Sequence, residues 1–430
     1  MIVSGGEERV EQGSDSRCLG ALSARDTNWR TNERESSKGS QGHSTETLHE
    51  TSIPPGTIPR YQSVRTAVFG ALSQGLFLAP MIKVIARAAL ILLPQAAVAQ
   101  SAVPQIQFTA NADLLKLPAG QNFGEVAGVA VNSKKHIFIY TRSGERSTVH
   151  GATAAQLFEF DSSGNYLREI GKDLYGFAFA HTVRVDKDDN IWATDEGTNM
   201  IIKFNPAGRV TMVLGRREEA VEPAPAPVPG QQPRPGWGTF NRPADVAWDN
   251  AGNVFIADGY GNSRVVKVDK NGRWVKTWGQ RGSEPGQFNI VHTIANDSKG
   301  NIYVGDRTNR RIQVFDPDGN PLGIITIDVP YDKEPNILSG GQPGPNSLSV
   351  SGAPWAICIS PGATEYLWVA DAVPGRIYKV TLDGKVVGTL GEAGKEVGQF
   401  GWVHEIACPN EHTLFVAELL NWRMQKLVLK

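Results

Sequence analysis

Three histidines recur at nearly equal spacing along this chain of 430 residues. His181 and His292 are 111 residues apart (292 minus 181), and His292 and His404 are 112 apart (404 minus 292). Three neutral imidazoles that converge and leave a fourth position open form a typical catalytic zinc site. A single histidine more often fills a core position or bonds a backbone carbonyl. Three histidines in one phase of a repeat favour a metal site on a pseudo-threefold axis.

An internal repeat accounts for this spacing. Six segments read strand, tight turn, strand, and their first strands begin at Gly128, Thr182, Asp245, Thr293, Ala356 and Glu405. The first strand alternates apolar and polar residues, and the second is more continuously apolar. Third and fourth strands follow, so that one unit recurs roughly every 45 to 60 residues, which is typical of a β-propeller blade. The sequence therefore predicts an all-β, six-bladed β-propeller.

The histidines occupy one position of the predicted blades, at the start of each first strand. In chain order this position holds Ala127, His181, Ala244, His292, Trp355 and His404. The innermost strands of a propeller line its central channel. Histidines on alternate blades should therefore converge on the axis.

Composition and the first hundred residues limit the other possibilities. The net charge of −1 gives no basic surface for nucleic acid. Residues 1–60 are polar, and residues 1–80 are predicted to be a disordered leader or to precede the true start of translation at Met81. Residues 81–99 resemble a signal peptide with a small-x-small cleavage site, and Lys83 and Arg87 argue against a membrane span. We therefore predict an exported protein, periplasmic or secreted, whose propeller covers residues 100–430.

Three further side chains are candidates for catalysis. Tyr260 should lie on the same face as the histidines, where a phenol beside a divalent cation can act as a general base. Arg142 and Arg307 each follow the aspartate position of the repeat by one residue and should face the channel mouth, where a guanidinium can clamp a carboxylate. The alternatives are a tyrosine that only packs and arginines that are solvated loop charges.

Other polar residues are assigned to architecture. Aspartates and arginines that recur in most blades should form turn and inter-blade hydrogen bonds: Asp195, Asp258, Asp306 and Asp371, and Arg264, Arg311, Arg376 and Arg423. Cys358 and Cys408 lie one residue out of phase on the first strands of the last two blades. This predicts side chains on opposite sides of their sheets, which disfavours a disulfide.

The motifs FAHTV, ADGYGNSR, GQFNIVHTI, GDRTNRRIQVF and WVHEI resemble those of the peptidyl-α-hydroxyglycine α-amidating lyases, which are built from NHL repeats. The resemblance runs from about Gly124 to the C-terminus. It implies a zinc-dependent lyase that splits a carbinolamide into an amide and glyoxylate.

The resemblance also implies roles for individual residues. The matching positions are His181, His292 and His404 as zinc ligands, Tyr260 as the catalytic tyrosine, and Arg142 and Arg307 as arginines that hold the substrate. A structural calcium ion would be held by the Glu405 carboxylate and by the backbone carbonyls of Val129 and Val183. The family typically has aspartate at the position of Glu405, so its longer side chain is a departure from the pattern.

Two other functions stay open from the sequence. The chain could be a non-catalytic NHL propeller that binds a protein or glycan, or a propeller lyase or hydrolase for another small molecule. Tyr260 and the two arginines favour the amidating-lyase hypothesis, because a scaffold would not need them. The expected partner is a small molecule or peptide that bears a carboxylate, bound by a monomeric propeller.

Overall fold

A computed structural model describes residues 103–142, 154–217, 238–331 and 351–430. Within these ranges the secondary structure is entirely β, and no helix there could cross a membrane. The predicted leader and signal peptide lie outside the described residues. Both stay predictions.

The described strands fall into six antiparallel sheets of four strands each. In chain order they are β1 (Phe108–Asn111), β2 (Glu125–Val131), β3 (Ile137–Arg142), β4 (Ala155–Phe160), β5 (Tyr166–Ile170), β6 (Ala180–Val185), β7 (Ile191–Asp195), β8 (Met200–Phe204), β9 (Val210–Gly215), β10 (Asp245–Trp248), β11 (Val254–Asp258), β12 (Arg264–Val268), β13 (Trp274–Trp278), β14 (Val291–Asn296), β15 (Ile302–Asp306), β16 (Arg311–Phe315), β17 (Pro321–Ile325), β18 (Ala356–Ser360), β19 (Tyr366–Ala370), β20 (Ile377–Thr381), β21 (Val386–Leu390), β22 (Val403–Asn410), β23 (Thr413–Glu418) and β24 (Arg423–Leu429). Blades 1 to 5 comprise β2–β5, β6–β9, β10–β13, β14–β17 and β18–β21. The prediction of a six-bladed β-propeller is confirmed.

Blade 6 takes its strands from both ends of the described chain. Its order is β22, β23, β24 and then β1, with Phe108 opposite Leu429 and Asn111 opposite Lys426. The outermost strand of the last blade therefore comes from the residues before blade 1. This closes the ring by backbone hydrogen bonds, a feature that the sequence analysis did not predict.

Six apolar cores fill the spaces between neighbouring blades. The second strand of each blade supplies many of the residues in these cores, because this strand is buried on both faces and its sequence is a continuous apolar run. Trp192 in β7 and Trp368 in β19 are almost completely buried. Burying a large apolar side chain stabilises a fold by about 2–3 kcal/mol, so stacking these faces supplies most of the stability. The innermost strands are thereby held rigidly around the channel.

The recurrent aspartates and arginines form the predicted loop hydrogen bonds, but two of their ion pairs lie within single blades rather than between blades. Arg264 pairs with Asp258 at 2.7 Å and Arg311 pairs with Asp306 at 2.8 Å, within the same blades. The same aspartates accept hydrogen bonds from the backbone of the segment leading into the blade, as in Asn241 N–H to Asp258. Each pair therefore fixes the loop that delivers the chain to an innermost strand.

The cysteine prediction was wrong. Cys358 on β18 and Cys408 on β22 are joined in a disulfide, with Cα atoms 6.2 Å apart. Both residues lie in the apolar core between blades 5 and 6. Neighbouring blades present opposite faces of their sheets to each other, so the phase difference brings the two sulfur atoms together rather than apart.

Replacing both Cys358 and Cys408 by alanine should lower the free energy of unfolding by about 3–4 kcal/mol, because the disulfide closes a loop over a sequence separation of 50. Denaturant titration of the variant and of the oxidised and reduced wild-type protein would measure this. Reduced wild-type protein should unfold at the same midpoint as the variant. Equal midpoints for oxidised and reduced wild type would contradict a structural disulfide.

Candidate metal centre

The three histidines lie at β-bulges on the innermost strands of blades 2, 4 and 6. The register of β6 against β7 shifts between Ala180 and Thr182, so that His181 is the extra residue, and His292 and His404 occupy the same position in β14 and β22. A bulge leaves one residue out of the ladder and redirects its side chain. One ring nitrogen from each histidine lies within 4.8 Å of the others. The structure thus brings together the three residues that the spacing singled out.

Each imidazole is oriented by the blade that follows it around the ring. Nδ1 of His181 donates to the Ala244 carbonyl at 2.7 Å, and Nδ1 of His292 donates to the Trp355 carbonyl at 2.7 Å. Nδ1 of His404 donates to the Ala127 carbonyl at 2.8 Å. Because a carbonyl oxygen only accepts, Nδ1 carries the proton and Nε2 keeps its lone pair. All three rings therefore have the tautomer that binds a metal.

The electrostatic surroundings keep these histidines uncharged. Burial lowers the pKa of all three, to about 3 for His404. Arg307 lowers the pKa of all three further, and Arg142 lowers those of His181 and His404. Nε2 of His292 is buried and has no hydrogen-bond partner. A buried lone pair without a partner is costly unless a ligand takes it. Three neutral imidazoles, one of them unpartnered, fit a divalent metal ion.

Tyr260 follows β11 by two residues and lies against the same centre. Its hydroxyl is 3.1 Å from Nε2 of His181 and accepts a hydrogen bond from Nη1 of Arg307 at 3.3 Å. Burial raises the pKa of Tyr260, and Arg307 opposes the rise. The hydroxyl is therefore placed where it could exchange a proton with a molecule bound at the histidines.

Arg307 is a buried cation whose side chain makes few polar contacts. Its guanidinium packs 4.0 Å from the ring centroid of Trp355, and its Nε is buried without a hydrogen-bond partner. No carboxylate among the described residues forms an ion pair with it. A desolvated guanidinium without an anion is a strong site for a carboxylate.

Arg142 is more constrained than the sequence suggested. Its Nε donates to Glu125, its Nη1 donates to the Ala180 carbonyl at 3.3 Å, and its guanidinium lies 4.0 Å from the Phe179 ring centroid. It is close enough to lower the pKa of His181 and His404. Arg142 thus adds positive potential to the centre, but part of its hydrogen-bonding capacity is already used.

A glutamate and a further arginine join the site without having been predicted. Glu196 is buried, with Oε2 at 3.9 Å from Nε2 of His181, and its other oxygen accepts from Nε of Arg242 at 2.7 Å. Arg242 also lies 4.6 Å above the ring of Tyr260. Glu196 follows the repeat aspartate Asp195 by one residue, just as Arg307 follows Asp306. Considering acidic residues as well as arginines at this position of the repeat would have identified Glu196.

We expect Glu196→Gln to weaken metal binding by about 10-fold or more, because it removes a negative charge facing one of the candidate ligands. Competition with a chromophoric zinc chelator would measure the affinity. Glu396→Gln, at an exposed position, is the matched control. Unchanged affinity in the Glu196 variant would show that this carboxylate does not act on the metal.

The calcium site implied by the resemblance does not fit the residues present. The backbone N–H groups of Val129 and Val183 donate to Oε2 of Glu405, with N···O distances of 2.9 and 3.1 Å. The other oxygen of Glu405 is 3.0 Å from Nε of Arg184. An N–H group and a guanidinium repel a cation, so these three residues do not form a calcium site.

Comparison with known proteins places this geometry in context. The family model of the NHL repeat matches residues 240–268, which lie largely in blade 3. Peptidyl-glycine alpha-amidating monooxygenase A of Xenopus laevis is 30% identical over 318 residues, which are 69% of this chain and 31% of that protein. Peptidyl-alpha-hydroxyglycine alpha-amidating lyase 1 of Drosophila melanogaster is 25% identical over 281 residues, 62% of this chain and 47% of that protein.

The chain spans less than half the length of either relative. Among solved structures, a Bacteroides thetaiotaomicron protein of unknown function superposes with a TM-score of 0.50 at 14% identity, covering 76% of this chain and 77% of that one. At that identity the likeness concerns the fold alone.

The chain is therefore a six-bladed β-propeller that contains a match to the NHL repeat and a buried group of three histidines. Within that class the chain resembles the peptidyl-α-hydroxyglycine α-amidating lyases in sequence.

Proposed function

We propose that the protein is a zinc-dependent carbon–nitrogen lyase that splits a carbinolamide into an amide and glyoxylate. The observation that carries the proposal is the position of the Tyr260 hydroxyl, 3.1 Å from Nε2 of His181 and 3.3 Å from Arg307. The three histidines, a phenol and a buried guanidinium thus meet at one point, where they would serve as metal site, proton acceptor and anion site. The relative named as an amidating lyase supports the same class of reaction.

Zinc is the metal we expect at His181, His292 and His404. Imidazole nitrogen suits zinc, and three protein ligands with an open position are typical of its catalytic sites. When bound, such an ion would polarise a substrate oxygen and lower the pKa of acidic groups beside it.

The arginines would hold and orient the substrate. Arg307 presents a buried Nε without a partner, and we assign it the substrate carboxylate. Arg142, already paired with Glu125, would add electrostatic attraction. The Trp355 ring packs against one face of the Arg307 guanidinium, with its centroid 4.0 Å from Cζ. A carboxylate fixed here would place the neighbouring carbon, which bears the hydroxyl and the amide nitrogen, beside Tyr260.

Tyr260 would move the proton that the reaction requires. In its phenolate form it would accept the hydroxyl proton of the carbinolamide while the C–O bond becomes a carbonyl and the C–N bond breaks. The electron pair of the C–N bond goes to nitrogen, which takes the proton back from Tyr260. The products are an amide and glyoxylate, with no change of oxidation state and no redox cofactor.

We further propose that the substrate is a small molecule or peptide with a carboxylate, that the propeller acts as a monomer, and that the protein is exported to the periplasm or secreted. Nucleic acid is not an expected partner, given the net charge of −1.

Metal analysis of the purified protein, combined with an assay of glyoxylate release from α-hydroxyhippurate, tests the proposal. About one zinc per chain together with glyoxylate release is the expected result. Metal without turnover would indicate a lyase or hydrolase for another small molecule. Absence of both would contradict an enzymatic role and favour a binding propeller.

A further inference from the structure

A second group of buried charges lies on the innermost strands and is separate from the three histidines. We call Arg184, Asp245 and Glu405 the axial charge cluster. Nε and Nη2 of Arg184 bind the two carboxylate oxygens of Asp245 at 2.9 and 2.6 Å, and Nε also lies 3.0 Å from Glu405. The side chains are 14%, 0% and 1% exposed, respectively. A guanidinium therefore lies between two carboxylates that water hardly reaches.

The two carboxylates connect five blades through the backbone. Oε2 of Glu405, in blade 6, accepts from the N–H groups of Val129 in blade 1 and Val183 in blade 2, at 2.9 and 3.1 Å. Asp245, in blade 3, accepts from the N–H of Ile294 in blade 4 at 3.1 Å. Each carboxylate thus bonds strands that belong to different sheets.

The guanidinium of Arg184 reaches the remaining blade. Nη2 donates to the Ile357 carbonyl of blade 5 at 3.2 Å, and Nη1 donates to the Ile406 carbonyl of blade 6 at 3.4 Å. Nε, Nη1 and Nη2 are therefore all engaged. Together with the carboxylate contacts, one cluster of three side chains contacts the innermost strand of every blade.

This arrangement has the chemistry of a cation site that the chain fills itself. Carboxylate and carbonyl oxygens around one positive centre are what a hard cation such as calcium requires. Here the oxygens of Asp245, Ile357 and Ile406 accept hydrogen bonds from a guanidinium, and Oε1 of Glu405 lies 3.0 Å from its Nε as an ion pair. Breaking such a buried pair is strongly destabilising, because it leaves a charge uncompensated.

We propose that the Arg184 guanidinium takes the place of a structural metal ion on the channel axis, so that the ring is held by an internal ion pair and needs no calcium. This inference is independent of the proposed reaction, since it concerns other residues and predicts stability rather than turnover.

Thermal unfolding of metal-depleted protein reloaded with zinc alone, or with zinc and millimolar calcium, tests the proposal on the wild-type chain. Reloading with zinc keeps the histidine centre equal in both samples. The midpoints should agree within about 1 °C, because a cation that does not bind the folded state cannot stabilise it. A calcium-dependent rise of several degrees would overturn the proposal.

Arg184→Met, which keeps an unbranched side chain and removes the charge, gives the second arm. It should lower the unfolding midpoint by roughly 10 °C, while the same change at exposed Arg209 should leave it unaltered. A midpoint equal to that of wild type would overturn the proposal as well. If the Arg184 variant does not fold, the calcium comparison on wild-type protein still decides.

Discussion

His292→Ala should abolish both metal binding and glyoxylate release. The zinc content should fall from about one per chain to near zero, and kcat/KM should fall by roughly 10³-fold or more, because two imidazoles cannot hold the ion that three are arranged to hold. His292 is the best choice of the three candidate ligands, since its Nε2 has no hydrogen-bond partner among the described residues. Metal analysis and kinetics on the same preparation would measure both effects.

The matched control is His412→Ala, at an exposed turn position, which should change neither quantity. The His292 variant also loses the hydrogen bond to the Trp355 carbonyl, so we expect a loss of about 1–2 kcal/mol in unfolding free energy without global unfolding. A folded His292 variant that kept its zinc and its activity would refute the metal centre.

Tyr260→Phe should lower kcat by about 10²–10⁴-fold while zinc content and KM stay close to wild type. The substitution removes a single oxygen, the one that lies 3.1 Å from His181 and 3.3 Å from Arg307. The ring continues to pack beneath Arg242 and Arg307, so the arginines should keep their positions. Steady-state kinetics with metal analysis separates a lost proton acceptor from a lost metal.

Tyr366→Phe is the control. Tyr366 begins β19 at the turn of the β18–β19 hairpin, and Trp355, which lies at the candidate site, is at the opposite end of that hairpin. It should be kinetically silent. An unchanged kcat in the Tyr260 variant would show that the hydroxyl takes no part in the chemistry, and a raised KM alone would assign it to binding.

The sequence predicted the blades and the histidine positions because both depend on a local pattern that is repeated six times. His181, His292 and His404 share one phase, and equivalent positions in a closed ring must face the same axis. The bulges at these positions were not predictable from the pattern, although the bulge is what redirects each ring. The positions of the three histidines could be predicted from the sequence. The orientation of their rings depends on the register of the strand pairing, which the sequence does not show.

Residues whose partners lie in another blade were the ones missed. The prediction for Cys358 and Cys408 considered only the side of its own sheet that each side chain occupies. The stacking of blades 5 and 6 shows that those two sides face each other. Arg184 reads as an ordinary polar residue in an alternating strand. Its role becomes visible only when Asp245 and Glu405 arrive from blades 3 and 6.

Closure of the ring by β1 and β24 has a consequence for the order of folding. Phe108 and Leu429, paired across blade 6, are 321 residues apart in sequence (429 minus 108). During synthesis the hairpins of blades 1 to 5 can form in turn from local contacts, but β1 must wait without its partner until nearly the whole chain has emerged. The last step is therefore a contact of very high sequence separation. The ring gains its cooperativity at this step. Until β1 pairs with β24, an incomplete chain exposes the unpaired edges of both strands.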